Sequence, residues 1–232
     1  AEERGLLGGE VLARWQHPQR GLLSPTAFIS LAERAGLVEE LDLCMLRQAC
    51  AQLARWAQQP VLAELTLAVN LSARLLYQED FVRSLQDLLS ASGANPQRLK
   101  LELTESLLLD DMVEASARMT QLQALGIRFS IDDFGTGYSS MAYLQQLPLD
   151  QLKIDQSFVQ GLPEAASSLA IVRAICALAS SLNLEVIAEG VESEAQRQAL
   201  LANGCRHYQG YLFGRPLPLA EFEALVLDSP HP

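Results

Sequence analysis

Basic side chains are scarce in this chain. Its 232 residues carry 17 Lys and Arg against 28 Asp and Glu, a formal net charge of −11. Nonspecific nucleic-acid binding needs a basic surface, so DNA and RNA are not expected partners. A phosphate-bearing ligand stays allowed, because a bound metal ion reverses the field locally. Cysteine is sparse too: Cys44, Cys50, Cys176 and Cys205, none in a CxxC pair. They read as unbridged, non-catalytic thiols, with Cys44, Cys176 and Cys205 as small buried hydrophobes and Cys50 partly exposed. A reducing, cytoplasmic setting suits them. No apolar run approaches the ~20 residues of a membrane span, and no signal peptide opens the chain. No membrane segment is therefore expected within this sequence, although a longer parent chain could carry an anchor. Linkers, low-complexity tracts and repeats are also missing, which points to a single domain over 1–232.

What is present is a strict alternation of two patterns. Hydrophobic residues make up 49% of the chain, enough for a sizeable core. Strands are predicted at 8–15, 65–72, 99–106, 127–134, 151–155, 185–190 and 207–214. Helices are predicted in SPTAFISLAERAG, with Ser24 as N-cap and Pro25 in the first turn, and at 38–58, 79–91, 110–125, 164–182, 193–202 and 219–227. A short helix is expected in SSMAYLQQL. Such alternation implies parallel strands joined by right-handed crossovers. Seven strands are read here, where a closed barrel of this kind usually has eight. Trp15, Trp56 and most Phe residues read as core. His17 reads as structural, and His207 lacks partners at metal-ligand spacing.

Acidic and amide residues recur at the strand ends: Glu10, Asn70, Glu102 with Glu105, Asp132 with Asp133, Glu189 and Gln209. Lys153 and Asp155 lie in QLKID. In a barrel of parallel strands, the C-terminal strand ends converge on one mouth. An oxygen-rich cluster there suits Mg²⁺ or Mn²⁺, which indicates a divalent-metal enzyme. One carboxylate at a strand end is more often a helix cap or a surface charge. The pair Asp132–Asp133, placed before a glycine-rich loop, carries more weight. Asn70 by itself reads as a turn residue, and Glu192 as a helix cap or salt-bridge partner. Arg14 is expected on the same strand face as Leu12 and Glu10.

The stretches EVLARWQHP, VNLS, LELTES, DDFGTGYSS, LKID, AEGVE and QGYLFGRP, in this order from Gly9 to about Val226, resemble the EAL-domain family. Members of that family are phosphodiesterases of the bacterial second messenger cyclic-di-GMP. DFG also occurs in kinases, but the HRD motif of kinases is missing here. Val11 stands where the family usually has Ala. The family's preceding helix and strand, ending in Gln-Pro, are absent from this sequence, which accounts for the missing eighth strand.

The resemblance implies an α/β fold, a TIM-like (β/α) barrel of the EAL type. It implies hydrolysis of cyclic-di-GMP to linear pGpG by a water activated by two divalent cations, Mg²⁺ or Mn²⁺, with Ca²⁺ inhibitory. Glu10, Asn70, Glu102 and Asp132 would hold the first cation. Asp132 would bridge to the second, completed by Asp133 and Glu189. Lys153 would hydrogen-bond the water or stabilise charge on phosphorus. Glu105 would anchor the loop Asp133, Phe134, Gly135, Thr136, Gly137, Tyr138, Ser139 and Ser140, which in the family couples the metal site to dimer contacts. Arg14, with Leu12 beside it, would meet a substrate phosphate, Asp42 a guanine, and Gln209 the substrate near the site. A homodimer and upstream sensory or nucleotide-cyclising domains are implied as well. The alternatives are a catalytically weak relative acting as a cyclic-di-GMP receptor or regulatory dimerisation module, and some other metal-dependent barrel hydrolase or lyase.

Overall fold

Parallel strands joined through helices are what the alternation demands, and the computed structural model contains them. It describes residues 5–105, 111–137 and 144–228. The chain divides into two compact units. One comprises Ala1–Leu101, Gln121–Arg128 and Pro218–Pro232, the other Glu102–Thr120 and Phe129–Leu217.

In the first unit, β1 (Gly8–Val11) runs parallel to β4 (Thr66–Asn70), in register from Gly8 opposite Thr66 to Val11 opposite Val69. A Cβ on Gly8 would overlap the Thr66 carbonyl, so this close approach needs glycine. The predicted strand at 8–15 is two elements. It stops at Val11, and β2 (Trp15–His17) then pairs antiparallel with β3 (Gly21–Leu23). His17 shapes that turn, its Nδ1 accepting from the Gln19 and Arg20 amides at 3.1 and 3.2 Å. Glu10, Leu12 and Arg14 therefore do not share one strand face. Trp15 is 40% exposed and meets His17 and Phe28 edge-on, so it lies outside the core. Ser24 precedes a 3-10 turn at Pro25–Ala27, but its hydroxyl pairs with Thr26 Oγ1 at 2.9 Å and caps nothing.

Helix α1 (Ile29–Ala35) leads into α2 (Val38–Trp56). The latter buries Leu46, Ala49, Cys50, Leu53 and Trp56, the stripe expected of a helix packed on one face. That spacing corrects the cysteine expectation: Cys50, four residues after Leu46, is fully buried, and Cys44 is exposed. Burial pushes the Cys50 thiol up to about 11. Two one-turn helices that the sequence did not announce, α3 (Pro60–Ala63) and α4 (Ala73–Leu76), flank β4. Helix α5 (Phe81–Ser92) buries Phe81, Leu85 and Leu89. The C-terminal helix Leu219–Asp228 is clasped to α2. Glu223 Oε1 accepts from Gln52 Nε2 and Trp56 Nε1, each at 2.7 Å, and Phe222 stacks on Trp56 with centroids 5.9 Å apart.

The second unit takes β5 (Leu99–Thr104) from Glu102 onward and β6 (Arg128–Phe134) from Phe129. Beside them lie β7 (Gln151–Ile154), β8 (Glu185–Ala188) and β9 (His207–Tyr208), in that order. The pairs from β6 to β9 are parallel. Helix α6 (Met112–Ala124) spans the division between the units, and α7 (Gln156–Gln160), α8 (Ala166–Leu182) and α9 (Glu194–Ala202) belong to the second. Helix α7 falls where a loop was expected. Asp155 starts it by accepting from the Ser157 amide at 3.0 Å. Helix α9 opens with a capping box of Ser193 and Gln196, so Ser193 and not Glu192 is the cap.

The last strand is far shorter than predicted. Gly210 packs against the Val191 backbone, where a Cβ would clash, and Leu212 N donates to Val191 O at 3.0 Å. Phe213 N then bonds Gly210 O at 3.0 Å, so the chain turns away. Cys176 is half-buried, and burial pushes the deeply buried Cys205 up to about 12. Most of the predicted helix SSMAYLQQL lies outside the described residues. Among those described, no helix is long and apolar enough to cross a membrane.

The clasp on the C-terminal helix gives a direct expectation. Glu223→Ala removes the acceptor of two hydrogen bonds and should lower the unfolding free energy by about 1.5–3 kcal/mol in a urea titration. A variant as stable as the parent would show that this helix is held by Phe222 and its neighbours alone.

Candidate metal centre

Four strands of the second unit carry the groups that meet. Lys153 is the third residue of β7 and only 1% exposed. Its Nζ contacts Glu102 Oε2 of β5 at 2.8 Å, Asp132 Oδ1 of β6 at 3.1 Å, and Glu189 Oε1, just beyond β8, at 2.6 Å. Glu102 is itself 3% exposed. A buried ammonium and a buried carboxylate persist only when paired and hydrogen-bonded, and each is so here.

Asp132 and Asp133 are adjacent, and on a regular strand they would face opposite sides of the sheet. Strand β6 is not regular at that point. Its pairing with β7 shifts register between Ile131 and Phe134, and Asp133 takes a left-handed φ of 52°. Irregularities of this kind re-aim side chains beside active sites. As a result Asp132, Asp133 and Glu189 offer ligand atoms within 4.8 Å of one another. Asp133 is exposed, yet partial desolvation and the charges of Asp132 and Asp155 push its carboxyl up, with Lys153 opposing. Hard carboxylate oxygens at this density suit Mg²⁺ or Mn²⁺ better than softer ions, and one lysine leaves much of their charge uncompensated.

The turn after β6 is tied down. Glu105 is buried, and its Oε2 accepts from Gly135 N at 3.2 Å. Thr136 Oγ1 donates to Asp133 O at 2.8 Å. Glu105 Oε1 is buried and has no hydrogen-bond partner among the described residues, while the Gly137 backbone passes close to it. Phe134 is buried and Thr136 exposed. Tyr138, Ser139 and Ser140 lie outside the described residues. Gln209 follows β9, and its amide donates to Ala188 O at 2.8 Å.

The first unit brings Glu10 and Asn70 together. Asn70 Nδ2 donates to Glu10 Oε1 at 2.7 Å. That bond turns the amide nitrogen toward Glu10, and the amide oxygen is then the atom able to face a cation. Leu12 is 37% exposed. Arg14 is exposed, its NH1 donating to Ala13 O at 2.8 Å. Asp42 is buried and accepts from Ser72 N at 2.9 Å, and burial pushes its carboxyl up.

One residue singled out in QLKID beside Lys153 was given no role in the sequence reading. Asp155 is buried two residues beyond Lys153 and adds its charge to the environment of Asp133. Its spacing from Lys153 was the available signal, since residues i and i+2 of a strand share a face.

Comparison with known proteins bears on the family and the fold. A family model described as EAL domain matches residues 1–216. The bifunctional diguanylate cyclase/cyclic di-GMP phosphodiesterase MucR of Pseudomonas aeruginosa is 43% identical over 95% of this chain and 32% of its own length. The cyclic di-GMP phosphodiesterase NbdA of the same species is 44% identical over 94% of this chain and 28% of its own. The chain thus spans about a third of these relatives. The solved PaMucR phosphodiesterase in complex with c-di-GMP superposes with a TM-score of 0.90 at 43% identity, covering 94% of this chain and 88% of that one. These likenesses show the EAL-type fold, a TIM-like (β/α) barrel.

Two outcomes follow from the charges. Lys153→Met leaves buried Glu102 without its counter-charge, so the metal-free protein should lose about 3–5 kcal/mol of stability, partly restored by Mn²⁺; an unchanged denaturation midpoint would contradict the pairing. Asp133 binds its proton more tightly when folded than when unfolded. Its contribution is therefore lost as pH rises from the unfolded carboxylate range through the raised native value. Metal-free Asp133→Asn should then melt higher than the parent at pH 7 and no higher near pH 3, as read by calorimetry, because Asn tolerates the left-handed backbone.

Proposed function

The chain belongs to the EAL-domain family, and from that premise we propose that it hydrolyses cyclic-di-GMP to linear pGpG. The observation that carries this reading is the buried Lys153 ammonium held among Glu102, Asp132 and Glu189, with Asp133 beside them. The family model, over residues 1–216, takes in the second unit up to Pro216 and most of the first, which supports one domain across the chain.

The proposed ligands of two divalent cations, Mg²⁺ or Mn²⁺, are Glu10, Asn70, Glu102, Asp132, Asp133 and Glu189. When bound, such a pair acidifies water and stabilises charge on a reacting phosphate. The chain's own groups do the rest. Lys153, fixed among its three carboxylates, would set a buried positive charge beside the reacting phosphate and stabilise charge developing there through its field. Arg14 offers a guanidinium fork to a phosphate, with Leu12, Asp42 and Gln209 contacting the dinucleotide. Glu105 holds the turn that carries Asp133. Water oxygen bonds to phosphorus, the bond from phosphorus to the 3′ oxygen breaks, and the leaving oxygen takes a proton. One 5′-phosphate and one free 3′ hydroxyl result. A homodimer in the cytoplasm, coupled through the loop that runs to Ser140 and governed by sensory or nucleotide-cyclising domains of a longer protein, completes the proposal.

Chromatography of a reaction with cyclic-di-GMP should give linear pGpG in Mg²⁺ or Mn²⁺ and little in Ca²⁺, whose larger, looser coordination positions water badly. Glu10→Ala should abolish turnover while calorimetry still detects dinucleotide binding. Binding without any linear product at saturating metal would replace the enzyme by a receptor.

A further inference from the structure

Asp133 and Gly135 both hold positive φ, 52° and 97°. Glycine adopts such backbone readily, but at Asp133 it persists only where its surroundings over-determine it. Hydrogen bonds from Thr136 to Asp133 O and from Gly135 N to Glu105 supply part of the hold. Packing supplies more. A Cβ on Gly135 would stand 3.0 Å from Phe158 Cε2 and 3.4 Å from Ile175 Cδ1, so the glycine backbone rests against the edge of the Phe158 ring. Phe158 is not a passive neighbour of that turn. It sits on α7, its amide donating to Asp155 O at 3.1 Å, and α7 packs on α8, the helix that carries Ile175. The strand that presents Lys153 thus runs straight into the helix that supports the turn carrying Asp133.

We propose that Phe158 is a positioning residue for Asp133: its ring edge, seated against Gly135, holds the 133–136 turn in the conformation that brings the Asp133 carboxylate beside Asp132 and Glu189. Phe158 touches neither substrate nor metal and acts through backbone. Glycine at 135 and an aromatic ring at 158 are then a matched pair, the flat ring filling the space a side chain would need. The inference rests on Asp133 being a metal ligand, but the hold on the turn can be measured separately.

The test compares Phe158→Ala and Phe158→Leu with Val159→Ala, a fully buried neighbour on the same helix that supplies none of the three atoms nearest a Cβ at Gly135. Three quantities are read: hydrogen exchange of the 133–137 amides without metal, Mn²⁺ affinity by calorimetry, and kcat and KM for cyclic-di-GMP. Phe158→Ala should speed exchange in the turn and weaken Mn²⁺ binding on the order of 10- to 100-fold, the usual cost of removing an outer support of a metal ligand. Its KM should stay near the parent value, with kcat recovering at high Mn²⁺. Phe158→Leu should fall between, and it carries the test if the alanine variant does not fold. Val159→Ala should lower thermal stability without moving exchange in the turn or Mn²⁺ affinity. Unchanged turn exchange in both Phe158 variants, or an equal change in Val159→Ala, overturns the proposal. A parent protein that binds no Mn²⁺ defeats the metal reading instead, and turn exchange then still decides whether Phe158 holds the turn.

Discussion

A lysine ammonium with almost no solvent cannot exist alone, and the second unit is arranged around that fact. Lys153 draws its counter-charges from β5, β6 and the end of β8. Each comes from a different strand, and the parallel pairing of β7 with β6 and with β8 brings Asp132 and Glu189 beside it from either side. The cost of burying these charges is offset only by close geometry. The cluster is therefore both a constraint on how the strands register and a store of negative potential. Where Lys153 satisfies part of that potential, a hard cation is the natural means of satisfying more.

The same concentration of charge explains why the site is not optimised for stability. Asp133 is held in a left-handed backbone, partly desolvated and close to Asp132 and Asp155. Every one of these features works against the metal-free folded state. Natural proteins tolerate such local costs where a functional arrangement requires them, and the supporting hydrogen bonds from Thr136 and to Glu105 are where this chain meets the cost.

Much of this was legible in the sequence, for definite reasons. Strand-ending carboxylates at Glu102, Asp132 and Glu189 could be placed because hydrophobic strands followed by helical periodicity fix which end of each strand they occupy. The family motifs then singled them out from ordinary caps. Other features were illegible because pairing, not periodicity, decides them. EVLARWQH alternates like one strand, but a hairpin takes its second half, so Arg14 leaves the face of Glu10. HYQGYLFG reads as a strand, but Gly210 against Val191 ends it after Tyr208. The register shift in β6 is the clearest case. Adjacent residues of a regular strand face opposite sides, and only the backbone at Asp133 shows how both acids come near Glu189. Cys44 and Cys50 were exchanged because both fit a helix, and the Leu46–Leu53 stripe chose between them.

That last distinction has a practical use. Cys50 and Cys205 are buried with their thiols pushed far from ionisation, and Cys176 is half-buried and shifted the same way. Cys44 is exposed on α2. A maleimide fluorophore added under native conditions would attach there first, since thiolate and access together set the rate. The native chain thus brings its own reporter site for fluorescence work, on the helix whose Trp56 and Gln52 grip the C-terminal helix, and needs no engineered handle.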